Sequence, residues 1–206
     1  MSEPEPKRRF DFSGGHLALD FANTVSHRPT AARLDRLAEY RDLACFGDEA
    51  GVYPPGIVDH LYAVAGAAPG RGKTALQNAI QLREAIFAIF KAIVERRAVP
   101  GNALAMLNAV VRAGGERARV AHLSRRFQWE WMGMDSVLDS VLWPIARSAA
   151  ELLTSGGLSR LRICASPDCD WLFLDQTKNR RRRWCDMKVC GNRVKARRHY
   201  ARVKAG

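Results

Sequence analysis

The sequence lacks any apolar run close to the roughly 20 residues that a membrane-spanning helix needs. Its first residues, MSEPEPKRRFDF, also lack the apolar stretch of a secretory signal. These absences predict a cytoplasmic protein with no membrane segment. Cysteine is scarce too, with five in 206 residues. Because thiols stay reduced in the cytoplasm, clustered cysteines are expected to bind metal and not to form disulfides.

Acidic residues are also in short supply, and the shortage lies at one end of the chain. The whole sequence has 33 Lys and Arg against 21 Asp and Glu, for a net charge of +12. Residues 158–206 hold 14 of these basic residues and only 4 of the acidic ones. Residues 1–157 are therefore close to neutral. This asymmetry indicates a segment that binds a polyanion, attached to a separate body.

The body reads as mainly helical, and its hydrophobic content of 47% is enough for an ordinary core. The segment RFDFSGGHLALDF predicts an extended segment, a Gly-Gly turn and then a second short apolar segment. Helices are predicted from Leu34 to about Ala50, from Ile57 to near Gly66, from an N-cap at Thr74 to Pro100, from residue 103 to Gly114, and over residues 135–155 with a kink at Pro144.

Between the last two helices the hydrophobic period changes to two. Phe127, Trp129 and Trp131 alternate with polar residues, which predicts a β-hairpin with one aromatic face. Such a stripe is more often core than binding surface, so the aromatic face is expected to be buried. Gly156-Gly157 then marks a boundary between a body at 1–157 and a tail at 158–206.

The tail contains two cysteine pairs of identical spacing, Cys164-x4-Cys169 and Cys185-x4-Cys190. Four thiolates can fill the tetrahedral shell of one structural Zn²⁺. We expect Leu161–Ile163 and Trp171–Leu174 to form a strand pair that brings the cysteines together. A closed site of this kind has no position for a catalytic water, and the tail has too little core to fold without metal. The alternative is disulfides or unrelated buried thiols.

Basic residues surround this cysteine cluster. They are candidate nucleic-acid contacts, because arginine suits bidentate contacts to phosphate and guanine. The alternative is a solvated tail that only aids solubility. The candidates are Lys178, Arg180, Arg181, Arg182, Arg183, Arg193, Lys195, Arg197, Arg198 and Arg202. The last five belong to a predicted C-terminal helix, whose Ala196, Tyr200 and Val203 are expected to dock on the zinc module.

Two further motifs are candidates for chemistry. AAPGRGKT at residues 67–74 resembles a phosphate-binding loop, but it lacks the first glycine and a preceding strand, so nucleotide hydrolysis is not predicted. Asp20 and Asn23 lie beside the Gly-Gly turn, where they either satisfy backbone amides or form a ligand pocket with Trp129 and Trp131. The sequence predicts no enzyme.

Two motifs resemble a known bacterial family. Cys190-Gly191-Asn192-Arg193 is similar to the residues that give the CGNR zinc-finger proteins their name. Gly14-Gly15-x-x-x-Leu19-Asp20-Phe21-x-Asn23-Thr24 resembles the opening of that family's N-terminal ABATE domain, an α-rich domain with an extended β-pair. The two resemblances cover essentially the whole chain in the expected order.

The resemblance implies a stress-induced transcription regulator whose zinc module binds DNA and whose ABATE domain senses an effector or forms a homodimer. The expected fold is mainly α with small β elements: a helical ABATE-like domain with a β-hairpin, then a treble-clef or ribbon-like zinc module that ends in a helix. The residues themselves leave two alternatives open, an RNA-binding or ribosome-associated zinc protein and, third, an enzyme acting on an acidic substrate.

Overall fold

The computed structural model of the chain describes residues 8–123 and 125–205. Near the N-terminus, helix α1 (Leu17–Ala22) is followed by the strand pair β1 (Val25–Ser26) and β2 (Leu34–Asp35). The sequence predicted only a short apolar segment where α1 lies. The helix forms because the carbonyl of His16 accepts the amides of Leu19 and Asp20, and because its apolar side chains are surrounded by other helices.

Five longer helices form the body. They are α2 (Tyr40–Glu49), α3 (Ile57–Ala67), α4 (Pro69–Val94), α5 (Gly101–Gly115) and α6 (Leu142–Thr154). Helix α4 is central, since it contacts α1, α2, α3, α5 and α6. The core contains Phe21, Phe46, Leu82, Phe90 and Ile145, all of which are essentially inaccessible to solvent.

Two predicted helix starts and one predicted kink were wrong for local reasons. Helix α4 begins at Pro69, where proline is preorganised for a first turn, and the hydroxyl of Thr74 donates to the carbonyl of Gly70 inside the helix. Helix α2 begins only at Tyr40, because the carboxylate of Asp42 accepts the amide of Glu39 in a capping box. Pro144 lies in the first turn of α6 and causes no kink.

The predicted hairpin is confirmed as β3 (Ala118–Leu123) paired antiparallel with β4 (Arg126–Trp131). Its aromatic face is not core, contrary to expectation. Phe127 is 78% exposed and Trp129 is 45% exposed, whereas Trp131 packs against the core. The guanidinium of Arg147 lies over the ring of Trp129, with its Cζ 3.6 Å from the ring centre.

The tail forms the predicted strand pair. Strands β5 (Leu161–Ile163) and β6 (Leu172–Leu174) are antiparallel and joined by the first cysteine loop. A π-helical turn (Met187–Gly191) then leads into helix α7 (Asn192–Ala205). Leu161 and Leu172 belong to the core of the body, so the tail is packed against that core. The predicted α+β fold class, a helical body followed by a cysteine module and a final helix, is confirmed.

Helix α7 projects from the protein. From Lys195 to Lys204 every residue is exposed, including Tyr200 and Val203. The expectation that these two side chains dock on the zinc module was therefore wrong. None of the helices in the described part of the chain is both long and apolar enough to cross a bilayer.

Candidate metal centre and nucleic-acid interface

The four tail cysteines converge on one point. Their Sγ atoms all lie within 4.8 Å of one another, and Cys185 Sγ is 3.6 Å from the Sγ atoms of both Cys169 and Cys190. A disulfide needs about 2.05 Å, whereas tetrahedral Zn–S bonds of about 2.3 Å place sulfur atoms about 3.8 Å apart. All four residues are buried. The donor set and its spacing therefore fit one structural Zn²⁺.

Each pair is held by its own backbone hydrogen bonds. In the first loop, the amide of Cys164 donates to the carbonyl of Trp171 at 2.8 Å, and the amide of Cys169 donates to the carbonyl of Ser166. In the second pair, Cys185 precedes the π-helical turn and Cys190 lies within it; the carboxylate of Asp186 accepts the amide of Val189 at 3.0 Å. A hairpin loop supplies two ligands and the segment at a helical turn supplies two, which is a treble-clef arrangement.

The environment of the four thiols does not favour their ionisation together without a cation. Hydrogen bonds from Cys169 and Cys185 hold the pKa of the Cys164 thiol far below its usual value. Hydrogen bonds with Cys164 and Cys169 raise the pKa of Cys185, and burial raises the pKa of Cys190. Without a cation, one thiolate suppresses ionisation of its neighbours. Zn²⁺ would favour the thiolate form of all four and cross-link the two loops.

The N-terminal motif holds this module in place. The side-chain amide of Asn23 donates to the carbonyl of Leu172 at 2.8 Å and accepts the amide of the same residue at 2.9 Å. The indole N–H of Trp171 donates to the carbonyl of Val25, and the amide of Leu174 donates to the carbonyl of Gly14. We call these four hydrogen bonds the clasp. The clasp joins β6 to the segment around α1.

Asp20 contributes to the same structure. Its carboxylate is buried and accepts the amide of Gly14 at 2.8 Å. Trp129 and Trp131 instead line a cavity of about 960 Å³ with Tyr53 and Met134. The structure thus does not bring together the four residues predicted as a pocket, because Asp20 and Asn23 satisfy backbone groups. A small-molecule effector stays a prediction.

The arginines between the cysteine pairs divide into two groups. Arg182 is structural: its guanidinium donates to the carbonyls of Trp184 and Cys185 and lies 4.6 Å from the centre of the Phe173 ring. Its contact with nucleic acid stays a prediction beside this role. Lys178, Arg180, Arg181 and Arg183 have exposed side chains, although Arg183 lies over the ring of Trp184.

The cations of α7 also divide, by the face they occupy. Arg193 is half-buried beside the cysteines, in a cleft of about 240 Å³, and Arg197 forms an ion pair with Asp168. At about 100° per residue, Lys195, Arg198 and Arg202 lie on the opposite face. Among the residues that the structure describes, these three form no ion pair. We call them the outer stripe.

Sequence reasoning missed several buried polar residues that fix the local structure. Asp175 is fully buried; its carboxylate accepts the amides of Thr177 and Arg182 and so shapes the arginine loop. Arg83 is equally buried and makes two hydrogen bonds to the carboxylate of Asp35. An Asp two residues before a Thr signals such a turn. No local signal marks Arg83, whose partner is 48 residues away.

Comparison with known proteins agrees with this geometry. The model of a family described as "putative stress-induced transcription regulator", ABATE, matches residues 15–156. The model of the CGNR zinc finger matches residues 160–203, which include all four cysteines and α7 up to Val203. No curated protein matches the chain. Both families are of regulator or zinc-finger type, and the ABATE match spans well over half of the sequence: the chain belongs to the ABATE family and carries a CGNR zinc finger at its C-terminal end.

Proposed function

We propose that this protein is a DNA-binding transcription regulator, acting in the cytoplasm, in which a structural zinc module presents α7 to the phosphate backbone. The observation that carries the proposal is the outer stripe. Lys195, Arg198 and Arg202 share the face of α7 that points away from the metal centre, and the described part of the fold does not use them. The opposite face, with Arg193 and Arg197, anchors the helix to the module.

The composition of α7 supports the same role. The helix carries six Lys and Arg residues and no acidic residue, and its exposed part has no apolar partner in the described chain that would explain a purely structural purpose. Because like charges on one helix repel each other, this helix is less stable alone than when a polyanion neutralises its charge. The exposed loop cations Lys178, Arg180 and Arg181 extend the basic surface beyond the helix.

The electrostatics predict a measurable signature. Neutralising about six phosphates gives a slope of log affinity against log salt concentration of about −5 on duplex DNA. Replacing the outer stripe by Lys195→Ala, Arg198→Ala and Arg202→Ala should weaken binding and make that slope shallower by about 2 to 3. Fluorescence anisotropy with a labelled duplex, at several salt concentrations, measures both quantities.

The matched control is Arg71→Ala, Lys73→Ala and Arg112→Ala, which removes the same charge from exposed positions on the body. We expect its affinity and slope to stay close to those of the original chain. Equal losses in both triple variants would mean that only net charge matters, and the outer stripe would not be the contact surface. Zinc content, measured by elemental analysis, should be the same in all three proteins.

Competition at fixed salt decides which nucleic acid is bound. Under the proposal, unlabelled duplex DNA displaces the labelled duplex more effectively than structured RNA of equal length. Stronger displacement by the RNA would favour the RNA-binding alternative, since the same cations serve either backbone. Selection of bound sequences from a random duplex pool would then identify the target site.

A further inference from the structure

The β3–β4 hairpin is a largely exposed arm that pairs with no other strand in the described part of the chain. The sheet has two strands only. Its exposed apolar side chains are Val120, Leu123, Phe127 and Trp129, with Phe127 the most accessible. Large apolar side chains gathered on one projecting element indicate a surface that another molecule covers.

The outer edge of strand β4 is not paired with another strand in the described part of the chain. The sequence of β4, RFQWEW, has no proline or lysine, and its register with β3 is regular from Arg126 to Trp131, with no bulge. Proteins usually protect long flat edges with such features. The amide of Met132 donates back towards β3, to the carbonyl of Arg117. The backbone N–H groups of successive residues in a strand point alternately to one side and the other. Since that of Met132 points towards β3, those of Phe127 and Trp129 point away from β3.

The exposed edge is complementary to itself. If two copies of β4 pair antiparallel about a twofold axis at Gln128, Phe127 of each copy lies opposite Trp129 of the other. These are the residues with outward amides and carbonyls, as an antiparallel ladder requires. The same register places Arg126 opposite Glu130, whose carboxylate also forms an ion pair with Arg119 within its own hairpin. The aromatic pairs lie on one face and the ion pairs on the other.

The other edge does not offer this match. In β3, a twofold axis near the strand centre pairs Arg119 with Ala121 or Leu123, and the strand contains no acidic residue. From this difference we infer that the chain forms a homodimer through β4, in which two hairpins join into a four-stranded antiparallel sheet. The partner is therefore a second copy of this chain, in the isologous arrangement of a twofold dimer.

Dimerisation through the arm would produce one molecule with two zinc modules related by a twofold axis. It does not depend on nucleic-acid binding, because it can be measured on the protein alone. Failure of the dimer would leave the outer stripe of α7 untouched, and loss of DNA binding would leave the dimer untouched.

Two charge reversals test the register. Arg126→Glu places like charges opposite each other at both ends of the paired strands, and so does Glu130→Arg. Each variant should be monomeric alone. Mixed together they should associate, because a chain of one variant paired with a chain of the other has opposite charges facing each other at both ends. Sedimentation equilibrium should give twice the 23.0 kDa chain mass for the original protein and for the mixture, and the chain mass for each variant alone.

Arg112→Glu is the control, since it makes the same charge change on the exposed surface of α5 and should leave the dimer intact. Phe127→Pro is a second test: it removes an outward amide that β3 does not use, so the hairpin survives but the ladder between copies cannot form. Circular dichroism confirms folding. A monomeric original protein at every concentration would overturn the inference, as would single variants that stay dimeric or a mixture that stays monomeric.

Discussion

The side-chain amide of Asn23 hydrogen-bonds the backbone of Leu172 in both directions, across 149 residues of sequence. It thus acts as a neighbouring strand would, and completes the edge of β6. Both residues are buried. A motif residue that resembled part of a ligand site is therefore an element of the interface between body and zinc module.

Asn23→Ala would leave the amide and carbonyl of Leu172 without partners in a buried place. Each unsatisfied group costs about 1 to 3 kcal/mol, so we expect the free energy of unfolding to fall by about 2 to 4 kcal/mol. Urea denaturation followed by tryptophan fluorescence measures the change. Asn78→Ala is the control, because Asn78 only reaches Asp139 at the surface and its loss should cost much less. Equal losses would show that the clasp does not stabilise the fold.

Zinc removal should affect the body as well as the tail. Leu161 and Leu172 are part of the body's core, and the clasp fixes β6 to α1. A chelator removes about 10 kcal/mol or more of metal-binding free energy, so disorder of the cysteine loops should propagate into that core. We expect calorimetry to show the main transition shifted to lower temperature.

The contrasting result would be a main transition whose temperature does not change when chelator is added. Only a small fraction of the helical circular dichroism signal would then be lost. The body would then fold independently of the metal. Adding Zn²⁺ back after chelation tests reversibility, and Cys190→Ser should reproduce the effect of the chelator without one. Cys45→Ser is the matched control, since Cys45 lies on α2, outside the metal centre, and should leave the transition unchanged.

Gly14 is the point where the clasp is tightest. A Cβ atom there would lie 2.7 Å from the Asp20 carboxylate and 3.2 Å from the side-chain nitrogen of Asn23. Gly14→Ala should therefore destabilise the protein by about 1 to 3 kcal/mol. Gly70→Ala, in α4 with open space around it, should be neutral or stabilising by up to about 1 kcal/mol. Chemical denaturation compares the two, and a stable Gly14→Ala variant would contradict the packing described here.

The sequence could predict the features that depend on near neighbours. The β5–β6 pair, the four cysteines and the helix after Gly191 follow from spacing and residue type within about 40 positions. It could not predict that Asn23 bonds Leu172, since nothing local marks a partner so distant. The sequence also could not predict that the hairpin face with Trp129 is exposed. A period of two shows that a strand has two faces, but only the position of the surrounding helices decides whether one is covered.

The carboxyl group of Asp20 should make stability depend on pH in an unusual direction. Burial raises the pKa of Asp20 to about 7, although the hydrogen bond from the Gly14 amide opposes this. In the unfolded chain its pKa is about 3.9. Between about pH 4 and 7 the folded state therefore keeps a proton that the unfolded state has lost, so Asp20 reduces the free energy of unfolding as pH rises.

Asp20→Asn isolates this contribution, since an asparagine oxygen can still accept the Gly14 amide but cannot ionise. Burial also lowers the pKa of His16, which favours the opposite trend on acidification, so the difference between the two proteins is the informative quantity. We expect the variant to gain on the original chain between about pH 5.5 and 8, by on the order of 2 kcal/mol. Denaturation at each pH measures it. A difference that stays constant with pH would mean that Asp20 is ionised throughout the range.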